Sequence, residues 1–286
     1  MTMNKITDYS EFQFLHKENK KRFSKIDTNC LFPGKILRDS INNGQLFYRS
    51  FPEGFVVYID ETTLYRAYYF LGSECQLPDM SADKMILIEE LDDQDRRKEY
   101  LDKFRNRLET AGFFLESCNY QLEIDLLKNR DLICENYKNA FARINISGLS
   151  TTCEPNADQC GQILQLWKSS LKQTDVPISH TEFFTDNEQH VICVTDPQGN
   201  VCGVNWWTFR GNCVEIRHTV THPDYYHKGI GSFIMSFVLN TALNEGAAIG
   251  ITYVEKQNYR SFGMMHKAGL KENGRVSYQF ILGNKL

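Results

Sequence analysis

Apolar residues recur at Ile230, Phe233, Ile234, Phe237, Val238 and Ala242, the spacing that gathers them on one face of a helix. Gly246 follows the last of them, where a helix-ending glycine belongs. Upstream, residues 213–221 read as a strand. A turn composition follows, His222-Pro223-Asp224-Tyr225, and then the polar stretch Lys228-Gly229-Ile230-Gly231-Ser232. The glycines therefore fall where a strand hands over to a helix. The same half predicts a helix over 158–171 carrying Ile163, Leu164, Leu166 and Trp167. Strands are predicted at 141–146, 191–194, 201–209, 247–254 and 276–282, and a second helix at 258–268. Residues 180–184 form a short segment between them.

The first half opens on a polar helix at 8–25, with Phe12, Leu15 and Phe23 as its few apolar residues. Aromatic and β-branched runs at 45–50, 55–59, 63–71 and 85–90 predict successive strands. Residues 92–110 predict a charged helix with Tyr100, Leu101, Phe104 and Leu108 at core spacing. Gly112 ends it, and strand material follows at 113–115 and 120–126. Residues 128–140 are polar and interrupted and read as a linker, which divides the chain into domains at 1–130 and 141–286. The halves share an order. Ala111-Gly112-Phe113 leads to Tyr120-Gln121, and Ala268-Gly269-Leu270 leads to Tyr278-Gln279. This predicts a duplication, with no counterpart of Gly229-Ile230-Gly231 in the first copy.

A helix start carries unpaired N–H groups and a partial positive charge. Glycine there lets another molecule approach the backbone closely. Lys228 adds a cation, so the stretch suits a phosphate or diphosphate. Two longer phosphate motifs are incomplete. The dinucleotide fingerprint needs a glycine where Ile234 stands, and the P-loop needs its lysine after the glycine rather than before it.

The 286 residues allow two domains. Hydrophobic content of 42% and charged content of 24% are those of a soluble globular protein. No apolar run approaches the roughly 20 residues that cross a bilayer, and Met1–Lys5 is not a signal-peptide start. A net charge of −4 argues against a general nucleic-acid binder. Nine scattered cysteines without a C-x-x-C pair suit a reducing compartment, so a cytoplasmic location is expected. The seven histidines show no H-E-x-x-H spacing, so no metal is expected.

The second half, from about Phe141 to Leu282, resembles the GNAT superfamily of acyl-CoA-dependent N-acetyltransferases. His222 to Gly231 resembles the family's Gln/Arg-x-x-Gly-x-Gly/Ala loop, with Tyr226 where Gln or Arg is usual. Asn258-x-x-Ser261-x-x-Met264-Met265-x-x-Ala268-Gly269-Leu270 resembles its later helix. The first half resembles a GNAT copy that has lost the cofactor loop. The resemblance implies an α/β (α+β) fold of two tandem halves, each a mixed, mostly antiparallel sheet flanked by helices. It implies acetyl-CoA as acyl donor and a small-molecule amine as acceptor, while the charge and the apolar run lengths lead us to expect no nucleic-acid or membrane partner.

Carried over residue by residue, Thr219, Val220 and Thr221 would pair with the pantetheine arm. Tyr226, His227, Lys228, Gly229, Ile230, Gly231 and Ser232 would wrap the diphosphate, and Asn258 would reach the cofactor. An amine must lose a proton before it attacks. Glu215 is the expected base, because histone-type members carry a glutamate there. Alternation puts Glu215, Arg217, Thr219 and Thr221 on one side of the strand, and Ile216, His218 and Val220 on the other. His218 is the rival base, by its ordinary pKa near 6.5, though it faces the apolar side. Val220 N–H is the expected oxyanion donor. Met265 stands where many members carry an acidic tyrosine, which leaves Tyr253, Tyr259, Tyr278 or an unaided thiolate. Of Trp206 and Trp207, one should face the core and the other outward or into the cleft. Two other readings are a non-catalytic acyl-CoA sensor and a tRNA-dependent aminoacyl transferase of the same tandem fold.

Overall fold

The computed structural model describes residues 3–30, 33–61, 63–73, 75–80, 82–92, 98–172 and 190–283. The segment at 180–184 lies outside them. The chain forms two compact units. One is Met1–Cys118 with Val276–Leu286, and the other is Asn119–Arg275.

The first unit contains β1 (Asn4–Lys5), α1 (Tyr9–Arg22), β2 (Ile26–Thr28), α2 (Pro33–Asn42), β3 (Leu46–Phe51), β4 (Gly54–Asp60), β5 (Leu64–Gly72), β6 (Met85–Asp92), α3 (Lys98–Thr110) and the start of β7 (Phe114–Asp125). Its sheet runs β1-β3-β4-β5-β6 and is continued by the end of β14 (Lys271–Leu282). β5 and β6 are parallel, whereas β3·β4, β4·β5 and β6·β14 are antiparallel. Apolar residues fill both faces of β4 and β5. Val56, Tyr58 and Tyr69 join the cluster of Phe104 and Leu108 from α3, and Phe55, Val57 and Phe70 join that of Phe12 and Leu37 from α1 and α2. A strand covered on both faces reads as a near-continuous apolar run, which is why these strands show in the sequence. Asp8 accepts from Ser10 N at 2.7 Å and starts α1 as predicted. α2, β1 and β2 were not predicted.

The second unit contains the rest of β7, then α4 (Arg130–Ile146), β8 (Ser150–Thr152), α5 (Ala157–Ser170), β9 (His190–Thr195), β10 (Val201–Arg210), β11 (Cys213–Ile216), β12 (Val220–Thr221), α6 (Ile230–Asn244), β13 (Ile249–Glu255) and α7 (Tyr259–Lys267). Its sheet runs β7-β13-β11-β10-β9-β8, with β12 on β10. Among the described residues only β11·β13 is parallel among its pairs.

One sequence expectation is overturned here. The linker at 128–140 and the strand at 141–146 are a single helix, α4. Ile133, Ala140 and Ile144 bury one thin stripe of it, and Leu132, Phe141 and Ile146 stay exposed among polar residues. Helices of this kind take most of their stability from packing. Here the partner is α6, through Phe141 against Phe233 at 6.3 Å and Tyr137 against Phe237 at 6.2 Å. α6 itself is buried on nearly every side, and its predicted stripe is correct.

Candidate active site

The site begins with a break in a strand. β10 pairs Trp207 with Ile216 and Val204 with Val220. Three steps along β10 thus face four along the partner, and the extra residue lies within Arg217–Thr219. This is a β-bulge, a device common beside active sites. Fully buried Asn205 holds it, donating to Arg217 O at 3.2 Å and to Thr219 Oγ1 at 2.8 Å.

β11 stays parallel to β13 from Cys213↔Ile249 to Ile216↔Thr252. Beyond that point β13 continues along β7 to Glu255, while β12 pairs with β10 alone. The two parallel strands part there, and one edge of β12 carries no strand among the described residues. His222 N donates to Cys202 O at 2.8 Å. By antiparallel alternation the main chain of Val220 then faces β10, and that of Thr221 faces the unpaired edge.

The bulge also shifts the side-chain phase. Glu215 pairs with Thr208 and Val220 with Val204, so they share the face of Trp206; Thr221 pairs with Gly203 and shares the face of Ile216 and Trp207. The expected row of Glu215, Arg217, Thr219 and Thr221 is therefore broken. The tryptophans differ from expectation as well, because both are buried, one on each face of β10.

Glu215 is buried at 4% exposure and held by two arginines. Arg217 Nη2 lies 2.8 Å from Oε1 and Arg210 Nε lies 2.9 Å from Oε2. Arg217 also lies over the Trp206 ring at 5.5 Å. Burial, and then the neighbouring Arg217 charge, push the His218 imidazole down to about 4. It is a neutral ring near pH 7, 6.2 Å from Trp206.

After β12, Pro223–Tyr225 forms a 3-10 turn started by His222, whose Nδ1 accepts from Asp224 N at 3.3 Å. The Tyr225 hydroxyl donates to Asp196 at 2.6 Å and ties the turn to the β9–β10 connection. That bond, with those from Asn200, holds the Asp196 carboxyl down to about 2. His227 and Gly229 both take left-handed backbone, at φ 65° and 81°. Phe233 N is bonded to Gly229 O at 2.9 Å. Among the described residues the N–H groups of Ile230, Gly231 and Ser232 have no such bond, as at any helix start. Tyr226, His227, Lys228, Gly229 and Ser232 are exposed, while the Ile230 side chain anchors the core.

Two cations flank this loop. Lys228 Nζ lies 4.3 Å from the Tyr225 ring centre, and the Arg260 guanidinium lies 4.9 Å from that of Tyr226. Arg260 was missed in the sequence. It sits in the first turn of α7, and only the fold brings it beside Tyr226. Asn258 caps α7, accepting from Ser261 N at 3.1 Å. Met264 Sδ would lie 3.0 Å from a Cβ at Gly231, and Met265 is buried in the core. Tyr253, just past the last β11·β13 pair, accepts from Gln121 Nε2 at 2.5 Å. Tyr259 is 80% exposed, and Tyr278 belongs to the other unit.

Residues 158–270 match the model of the acetyltransferase (GNAT) family. Solved structures share the architecture. An X-ray structure of a Drosophila protein aligns over 99% of this chain and 99% of its own, at 9% identity and TM-score 0.56. A tandem GNAT protein from the clavulanic acid biosynthesis pathway aligns over 95% and 89%, at 10% identity and TM-score 0.54. A GCN5-related N-acetyltransferase from Sphaerobacter thermophilus aligns over 88% and 87%, at 10% identity and TM-score 0.55. At these identities the likeness is one of fold. The fold is thus a mixed α/β one of the tandem GNAT kind. No curated protein sequence matches the chain.

Proposed function

We propose, on the premise that residues 158–270 form a GNAT-family domain, that this protein is an acyl-CoA-dependent N-acetyltransferase acting on the primary amine of a small molecule. The observation that carries the reading is the parting of β12 from β13 beside a glycine loop that is open at Gly229. A pantetheine arm would add to the unpaired edge of β12 as a further strand, through the main chain at Thr221. The N–H groups of Ile230, Gly231 and Ser232 would take the diphosphate, with Lys228 and Arg260 balancing its charge.

In the reaction a neutral amine attacks the thioester carbonyl. The C–N bond forms, the C–S bond breaks, and the amine proton goes to a base while the thiolate takes a proton. Glu215 is the base of this proposal, being the one carboxylate on 213–221. To accept a proton it must release a guanidinium, and the half-exposed Arg210 is the partner that can move. Val220 N–H is committed to β10, so the oxyanion donor falls to the bulge itself. Tyr253 is the candidate acid, by its place where the strands part. Nine cysteines without a C-x-x-C pair suit a cytoplasmic location.

The clamp on Glu215 also favours a second reading, an acyl-CoA-binding protein without turnover. Thermal shift with acetyl-CoA and amine-dependent thiol release separate the two. Acetyl-CoA is expected to raise the Tm, and added primary amines to release thiol. Glu215→Gln should keep the Tm shift and lose about 10²–10⁴-fold in kcat. A Tm shift without thiol release from any amine establishes the binding protein, and no shift at all overturns both.

A further inference from the structure

The first unit repeats the strand order of the second. β5 and β6 are parallel neighbours from Leu64↔Met85 to Arg66↔Leu87, as β11 and β13 are from Cys213↔Ile249 to Ile216↔Thr252. A helix and a long strand follow each pair, α3 and β7 in one case, α7 and β14 in the other. Beyond Arg66 the parallel strands of the first unit part as well. β5 continues along β4 to Leu71, and β6 continues along β14 to Asp92.

In the first unit the edge that β5 turns to this gap is filled. Gly72 N donates to Glu53 O at 3.0 Å, on the β4 side. By alternation the amides of Tyr69, Leu71 and Ser73 then point the other way, into the gap. β2 lies against them. Ile26, Asp27 and Thr28 pair with Gly72, Leu71 and Phe70, and Ser73 N donates to Lys25 O at 3.2 Å. Asn29 follows β2 and ties the two parted strands together. Its Oδ1 accepts from Tyr69 N of β5 at 2.9 Å. Its Nδ2 donates to Ala67 O of β5 at 3.0 Å and to Glu89 O of β6 at 3.2 Å. Asn29 is 8% exposed, so these bonds are made away from water. α3 holds the same segment, through Arg107 Nη1 donating to Asp27 Oδ2 at 3.2 Å, with side chains 9% and 8% exposed. In the second unit the corresponding edge, that of β12, carries no strand among the described residues.

An open strand edge offers a row of main-chain donors and acceptors to any extended chain that reaches it. We propose that Ile26–Asn29 is a built-in occupant of the first unit's donor slot. A strap of the chain itself lies where the second unit would take the pantetheine arm, and Asn29 locks it across the gap. Calling the slot a donor slot rests on the acyl-CoA reading of the second unit; the lock does not. The consequence is that the chain takes one acyl donor and takes it in the second unit.

The test is amide hydrogen exchange and titration calorimetry on the full chain, for wild type and Asn29→Ala, with and without acetyl-CoA. The substitution removes the three hydrogen bonds of the lock. Leu71 and Ser73 face β2 rather than Asn29, so their exchange reports the strap. It should quicken about tenfold or more in Asn29→Ala, while Phe70 and Gly72, which face β4, keep their wild-type rates. If Asn29→Ala does not fold, Asn29→Asp keeps the acceptor for Tyr69 N, loses both donors and gives the same readout. In wild type, acetyl-CoA should bind once per chain and slow exchange within 219–232 but not within 64–73. Unchanged rates at Leu71 and Ser73 in the folded variant overturn the lock. Two acetyl-CoA per chain, or slowing within 64–73 in wild type, overturns the filled slot. No binding of acetyl-CoA at all removes the donor reading of the second unit, and the exchange of the variant alone then decides for or against the lock.

Discussion

His218 carries the clearest pH consequence of any single residue. Folding half-buries its ring beside Arg217 and holds its pKa at about 4, against an ordinary value near 6.5. The folded state therefore binds fewer protons than the unfolded state between those values. Stability from this group is complete above about pH 6.5 and is lost as pH falls toward 4. Urea melts of wild type should weaken across that window, and His218→Gln should flatten the dependence. An equal slope in both proteins would assign the loss to other groups. The residue scale also shows where a strand sequence misleads. Glu215, Ile216 and Thr221 alternate as letters, but an extra residue in the bulge shifts the phase between them, and nothing local to Arg217-His218-Thr219 announces it. Arg260 and Asn205 were illegible for a related reason, since their roles exist only once another element is beside them. The expectation of a phosphate at the loop needed no partner. Its glycines and its helix start are local facts, and Gly229 takes the left-handed backbone that only a local turn demands.

Between elements, the contact that aims the loop is that of β10 with the first turn of α6. A Cβ at Gly203 would lie 2.5 Å from Ile230 Cγ2 and 3.1 Å from Ile234 Cδ1. Ile230 is 1% exposed and has no free direction in which to yield. Gly203→Val should therefore cost about 1–3 kcal/mol by overpacking. It should also displace the helix start to which we assign the acyl donor. The expected signature is a lowered Tm together with a smaller acetyl-CoA shift. Gly161 in α5 is the control, because a Cβ there meets nothing within 4 Å. Gly161→Ala should stabilise by about 0.5–1 kcal/mol and leave the acetyl-CoA shift alone. Equal acetyl-CoA shifts in both variants would detach the loop from its packing on β10. α6 was legible because its apolar stripe and its glycine stop agree. α4 was not, because its stripe is thin and its partner lies far along the chain.

For the whole molecule, the duplication was legible because each half repeats a helix, a glycine stop and a strand. Which strand completes which sheet was not, because a strand's alternation specifies a face and leaves its neighbour open. The chain's last strand serves the first unit. Val276–Leu282 pair with β6 from Asp92 to Ile86, while Asn119–Asp125 of β7 pair with β13. Phe280 and Ile281 are 2% and 4% exposed, and each contributes about 1.5–3 kcal/mol by burial. Ser117 donates to Gln279 at 2.6 Å, and Ser277 to Glu89 at 2.6 Å. Ending the chain at Gly274 would remove all of this from the first unit and leave 119–274 nearly whole. Limited proteolysis of that truncation should cut first within residues 1–118, where β6 has lost a ladder and two core side chains. The fragment spanning 119–274 should outlast it. Early cuts within 119–274 and a protected 1–118 would mean that the terminal strand supports the second unit, as a simple tandem repeat requires.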